Sequence, residues 1–170
     1  MMKTLTNHSI YDEENGIIFG SLTMGTDLME GIIQEYERYN IHSGVVTCMG
    51  SLSQATYVYI KNDQHGDLSY SDEIIEEGPI ELLNGTGFLC KNENGKTDFH
   101  LHAMFGNQKG AVFGGHILPG KNPTLITIEF TIKVGKGIQA LRTFKPQLGF
   151  QTITFSNANK GIKLISGDYK

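Results

Sequence analysis

FHLHAMFGNQKGAVFGGH, from Phe99 to His116, holds three of the six histidines in this 170-residue chain. Successive side chains of a strand leave opposite faces, so His100 and His102 share one face. Gly106-Asn107-Gln108-Lys109-Gly110 is a turn cluster between two apolar runs and reads as a hairpin loop. A bulge-free hairpin centred on Gln108 sets His116 opposite His100. His102 is then diagonal to His116 on the same face, roughly 5–8 Å away at Cβ, a span that a metal ion bridges. One inserted residue would turn His116 to the other face. Three imidazoles without a thiol suit Zn²⁺, or another borderline divalent ion such as Ni²⁺ or Fe²⁺. Gly114 and Gly115, next to His116, are candidates for lining a ligand site.

Working outward, Ile17–Leu22 reads as a first strand, and Gly25-Thr26-Asp27 opens the one clear helix. Asp27 with Glu30 resembles a capping box, with Thr26 as the competing N-cap. Leu28, Ile32, Ile33, Tyr36 and Tyr39 form its apolar stripe. Asn40 and Ser43-Gly44 end it. Gly44–Met49 is a strand that Gly50-Ser51 closes, and Gln54–Ile60 alternates as the next one. Lys61–Asp67 is a polar turn carrying a solvated His65. Ser71–Glu81 is rich in carboxylates and reads mostly as a solvated face. Glu81 opens an apolar strand that runs to Cys90, and Asn92-Glu93-Asn94-Gly95 is a hairpin turn. After Phe99–His116, Pro119–Pro123 turns the chain into Thr124–Val134. There Ile128, Phe130 and Ile132 face the core while Thr127, Glu129 and Thr131 face the other side. Beyond Pro146, QTITF and IKLI are short strand candidates. One helix against many short strands argues an α+β fold, a compact single domain with a mostly antiparallel sheet and one main helix packed on it.

Lys and Arg total 14 against 18 Asp and Glu, a net charge of −4, and Arg38 and Arg142 are the only arginines. Phosphate neutralisation supplies most non-specific affinity for DNA, so this charge argues against direct nucleic-acid binding. Cys48 and Cys90 lie in apolar strand contexts without a C-x-x-C pattern and read as buried free thiols. The stretch MMKTLTNHSIYDEENG has no apolar core of a secretory signal, and no apolar run is long enough to span a membrane. The expectation is a cytoplasmic protein. His8 and His42 have no partner in sequence and are assigned structural or surface roles.

Three stretches together resemble the PPC domain, the plant and prokaryote conserved domain: GPIELLNGTGF (78–88), FHLHAMFGNQKGAVFGGH (99–116) and LITIEFTI (125–132). The helix followed by HSGVVTCMGSLSQATY fits the family's opening half. The resemblance covers roughly 16–143, leaving 1–15 as a lead-in and 144–170 as a C-terminal extension packed on the body. It implies a homotrimer, and in bacterial members a metal on the histidines that are here His100, His102 and His116. Plant members join the domain to a basic AT-hook, which is missing here, and carry a six-residue partner-recruiting motif. Gly78, Glu81 and Leu83 match that motif, but Pro79 stands where it has Arg, which unsettles the partner chemistry. Prokaryotic members often carry a DNA-binding label.

A remoter likeness, to the zinc lyase acetolactate decarboxylase, keeps an enzyme in view. Three imidazoles leave a fourth position on zinc open, the pattern of catalytic sites. Glu129 and Glu81 are the candidate acid, base or histidine-orienting groups. A cupin also uses H-x-H, but wants a Glu where this chain has Phe105 and Gly106. Two main readings follow. One is a trimeric metal-bearing module that binds a small ligand or a protein partner, with any DNA association running through partners. The other is a metal-dependent lyase or hydrolase acting on a small carbonyl or carboxylate compound. Direct DNA binding is the third.

Overall fold

Alternation in Thr124–Val134 translates directly into burial. Ile128, Phe130 and Ile132 are in the core, and Glu129 on the intervening face is exposed. This strand is one of eleven among the residues described by the computed structural model, 6–158. In chain order they are β1 (His8–Asp12), β2 (Ile17–Thr23), β3 (Gly44–Val58), β4 (Ile60–Asn62), β5 (Leu68–Tyr70), β6 (Ile74–Asn92), β7 (Thr97–Asn107), β8 (Val112–Ile117), β9 (Thr124–Val134), β10 (Ile138–Lys145) and β11 (Phe150–Asn157), with helix α1 (Leu28–Glu37) between β2 and β3. Nine strands form one sheet in the order β1-β2-β9-β3-β8-β7-β6-β10-β11, and β4 and β5 form a separate hairpin. β3 also pairs with β6, so β3, β6, β7 and β8 close into a ring. All pairings are antiparallel except β6 with β10.

The expected α+β architecture is not what the chain forms. Among the described residues 64% are strand and 7% helical, and the sheet is mixed. Two strands run further than the sequence reading placed them. Gly50-Ser51 does not close a strand: β3 runs unbroken for 15 residues, with register shifts at Cys48/Gly50 and Leu52/Gln54. Gly50 has φ +147°, and a Cβ there would meet the Thr127 carbonyl, so it is a bulge against β9. The acidic 71–81 segment keeps its carboxylates mostly in solvent, as read, but from Ile74 on it belongs to β6, where Gln54, Ala55 and Thr56 pair with Glu77, Glu76 and Ile75. A sheet that closes on itself buries its own inner face, which leaves the helix only a flank to cover.

That helix starts where its capping residues place it. The Asp27 carboxylate accepts from the Met29 and Glu30 amides, both at 3.0 Å. Leu28, Met29, Ile32 and Tyr36 are buried, and the helix packs against β2, β7 and β9. Asn122 ties this end of the fold together and is fully buried. Its backbone donates to Asp27 Oδ2 (2.8 Å) and accepts from the Leu28 amide (3.0 Å). Its side chain accepts from the Thr56 amide (2.7 Å) and donates to the Leu118 carbonyl (2.5 Å).

The N-terminal lead-in supplies an edge strand, β1. The C-terminal boundary expected at 143/144 falls inside β10, and QTITF lies in β11, which pairs along the whole of β10. The IKLI stretch lies outside the described residues. No helix among those described is long and apolar enough to cross a membrane.

Asn122→Ala would strand the Thr56 amide and the Leu118 carbonyl. We expect it to destabilise the protein by about 2–4 kcal/mol, read as a lower urea midpoint at unchanged m-value. Both cysteines are buried and free, and burial pushes the Cys48 thiol up to about 12 and the Cys90 thiol to about 11. At pH 8, iodoacetamide should therefore leave both unmodified in the folded protein and label them on unfolding in urea.

Candidate metal centre

The hairpin predicted over Phe99–His116 is β7 and β8. Its loop is Gln108–Gly110, closed by Asn107 N–H to the Ala111 carbonyl (3.1 Å) and Gly110 N–H to the Asn107 carbonyl (2.9 Å). The Asn107 side chain accepts from the Lys109 and Ala111 amides, and Gly110 takes φ +77°. Gly106 stays in the strand opposite Val112, so the hairpin centres on Lys109 rather than Gln108. His116 consequently faces His102 directly, not His100. The register differs by an even number of residues, so His116 keeps the expected face.

All three imidazoles converge. Their ligating atoms lie within 4.8 Å of one another, and the ring centroids are 4.9–5.2 Å apart. His102 Nε2 stands 3.2 Å from His100 Nε2 and 3.4 Å from His116 Nδ1. Two nitrogens bound at zinc distances to one tetrahedral ion are about 3.3–3.4 Å apart. An N–H shared between two neutral rings satisfies one such pair, whereas a cation satisfies all three lone pairs at once.

The electrostatics favour the ligating form. Burial, then the nearby Arg142 and His102, hold His100 down at about 4, against a smaller opposing effect of Asp98. Burial, then His100, His102 and Arg142, hold His116 at about 4. His102 is lowered by burial and by Arg142. The neutral imidazoles present at pH 7 are the metal-binding species.

Gly114 and Gly115 serve the backbone. A Cβ on Gly114 would lie 2.0 Å from the Ala103 carbonyl, and one on Gly115 would lie 2.5 Å from that of Val58. Their absent side chains let β8 fit between β7 and β3. Glu129 sits on β9 opposite Met49 and Ser21. With β3 and β6 between β9 and β7, it is roughly 14 Å of sheet away from the histidines. Glu81 pairs with Ser51 and Gly106, about 16 Å along β6 from Thr86, the residue opposite His102. Of the motif positions, Gly78 packs against the backbone of Leu52 and Ser53, while Glu81 and Leu83 are exposed. His8 borders a groove on the outer sheet face, and His42 and His65 are exposed.

Four residues beside the triad were not singled out from the sequence. Asp98 precedes His100 by two on the same strand face, a spacing that could have flagged it. Arg142, on β10, reaches Asp98 through Nη1 at 3.3 Å. Tyr70, from the β4–β5 hairpin, lies against His116 with ring centroids 5.4 Å apart, and Phe150 of β11 meets Tyr70 edge-on at 5.1 Å. Arg142, Tyr70 and Phe150 arrive from three separate elements, and no local pattern announces them.

The family of the Plants and Prokaryotes Conserved (PCC) domain matches residues 11–135, and the chain belongs to it. The fold is also that of a protein from Bacteroides thetaiotaomicron with a provisional DNA-binding label (TM-score 0.74, 21% identity, 88% of this chain and 99% of that one). It is shared by a metal-containing protein of Archaeoglobus fulgidus (TM-score 0.68, 21% identity, 89% and 98%). A plant- and prokaryote-conserved protein of Pyrococcus horikoshii is similar too (TM-score 0.67, 20% identity, 89% and 97%). In sequence the chain is 32% identical over 97 residues to a Synechococcus bifunctional protein GlmU, matching 56% of this chain but only 13% of that protein's length.

Proposed function

We propose that this protein is a stand-alone PPC-type module that assembles as a homotrimer. It holds a divalent metal, zinc, on His100, His102 and His116 and presents the ion to a small ligand or a protein partner. The observation that carries this reading is the convergence of three neutral imidazoles, with His102 Nε2 at zinc-compatible separations of 3.2 and 3.4 Å from its two neighbours and all three ligating atoms within 4.8 Å. The Archaeoglobus protein of the same fold, described as metal-containing, supports it. Three histidines leave one position of a tetrahedral ion open, where it would polarise an oxygen of a bound ligand.

Assembly is supported by the outer sheet face. Ile10, Phe19 and Met49 are 72%, 58% and 61% exposed and border a groove of about 540 Å³ that Leu83 also lines. Apolar patches of this kind mark interaction surfaces. A net charge of −4 disfavours direct contact with DNA, so any association with DNA would run through partner proteins.

A second reading, a metal-dependent lyase or hydrolase of a small carbonyl or carboxylate compound, is favoured by the surroundings of the triad. A cation, Arg142, and an aromatic wall of Tyr70 and Phe150 stand beside it.

Elemental mass spectrometry on tag-free protein should find about one zinc per chain, the stoichiometry of a single three-histidine site. The metal should be lost in His100→Ala and His116→Ala variants that keep the wild-type circular dichroism. Folded wild-type protein without metal would sink the site. Light scattering should return three times the 18.8 kDa of one chain; a monomer mass would remove the trimer.

A further inference from the structure

We propose that Arg142 is an anion anchor, and that the metal site takes small carboxylates held between this guanidinium and the ion. The inference rests on the metal reading above and adds the ligand class.

Arg142 is a mostly buried cation with poor partners. Its side chain is 11% exposed, and its one hydrogen-bonded ion pair among the described residues is a single Nη1–Oδ1 approach to Asp98 at 3.3 Å. Arginine–carboxylate pairs that are satisfied are shorter and often two-pronged. The buried Nε–H has no partner among the described residues. A guanidinium left in this state is destabilising, unlike one whose fork is filled.

Its position gives the unused donors a direction. Asp98, His100 and His102 alternate along one face of β7, so a guanidinium resting on Asp98 borders the imidazole cluster. With a divalent ion bound, Asp98 alone would face the charges of both the metal and Arg142. An anion between the two cations satisfies the guanidinium fork and fills the open metal position. Planar carboxylates suit this task, because their two oxygens match Arg donors and also ligate. The ring of Tyr70, backed by Phe150, offers an apolar wall for the body of such a ligand.

The test uses Co²⁺-loaded protein and 4-fluorobenzoate, followed by ¹⁹F NMR line broadening and by the cobalt visible spectrum, with 4-fluorobenzamide as the uncharged control. The benzoate should bind and the amide should not. Arg142→Gln should weaken binding by about tenfold or more at unchanged cobalt content, with Arg142→Lys intermediate. Asp98→Asn, which removes the competing carboxylate, should strengthen it, a gain that a purely structural role for Arg142 does not produce. Equal affinity in wild type and Arg142→Gln overturns the proposal; if Arg142→Gln fails to fold, Arg142→Lys decides. Protein that binds Co²⁺ but no benzoate removes the anchor and leaves the metal site standing. Protein that takes up no metal removes the metal site, and the Arg142 dependence of the ¹⁹F signal then decides the anchor alone.

Discussion

β3 is hydrogen-bonded along both edges, to β6 on one side and to β9 and then β8 on the other. That double pairing is the constraint on which the rest depends. It closes the ring of β3, β6, β7 and β8 and fixes which residues stand abreast. Gly20, Phe130, Cys48, Gly85, Ala103 and Gly115 form one row along the inner face. The adjacent row outside runs Phe19, Thr131, Thr47, Thr86, His102 and His116. Small residues in the first row let the sheet curl, and the second row delivers two histidines to one outward spot.

The site borrows its rigidity from this frame. His102 rides on a part of β7 paired on both sides, His100 on the adjoining part paired to β6, and His116 on a short strand wedged between β7 and β3. Side chains held this way lose little further freedom on binding an ion, so much of the ordering has already been done by folding. Burial and the Arg142 charge keep the imidazoles unprotonated, so a metal meets little proton competition near neutrality.

The corrections to the sequence reading share one cause. Gly50 and the acidic 71–81 stretch look like interruptions when judged locally, because glycine and carboxylates are poor strand formers. Gly50 and residues 74–81 sit in long strands, since a bulge against β9 needs glycine and since β6 finds a partner in β3 whatever its composition. The start of the helix, by contrast, was legible to within a residue, because Asp27 caps it through its own side chain, while its end comes at Glu37, three residues before the Asn40 stop read from the sequence. Glu129 was correctly placed on the face opposite the core residues of β9, but period-two reasoning gives the face and not the distance across the sheet.

By itself the sequence determined the alternation of β9, the cap of α1, the β7–β8 hairpin and the shared face of His100, His102 and His116. Each of these depends on residues close in the chain or on side-chain periodicity. Only the tertiary structure decided the closure of the sheet and the two-residue offset that sets His116 opposite His102. It also brought Arg142, Tyr70 and Phe150 to the histidines. The physical reason is that strand order and inter-element contacts are set by which edges and faces can be satisfied together. No short stretch of sequence carries that information alone.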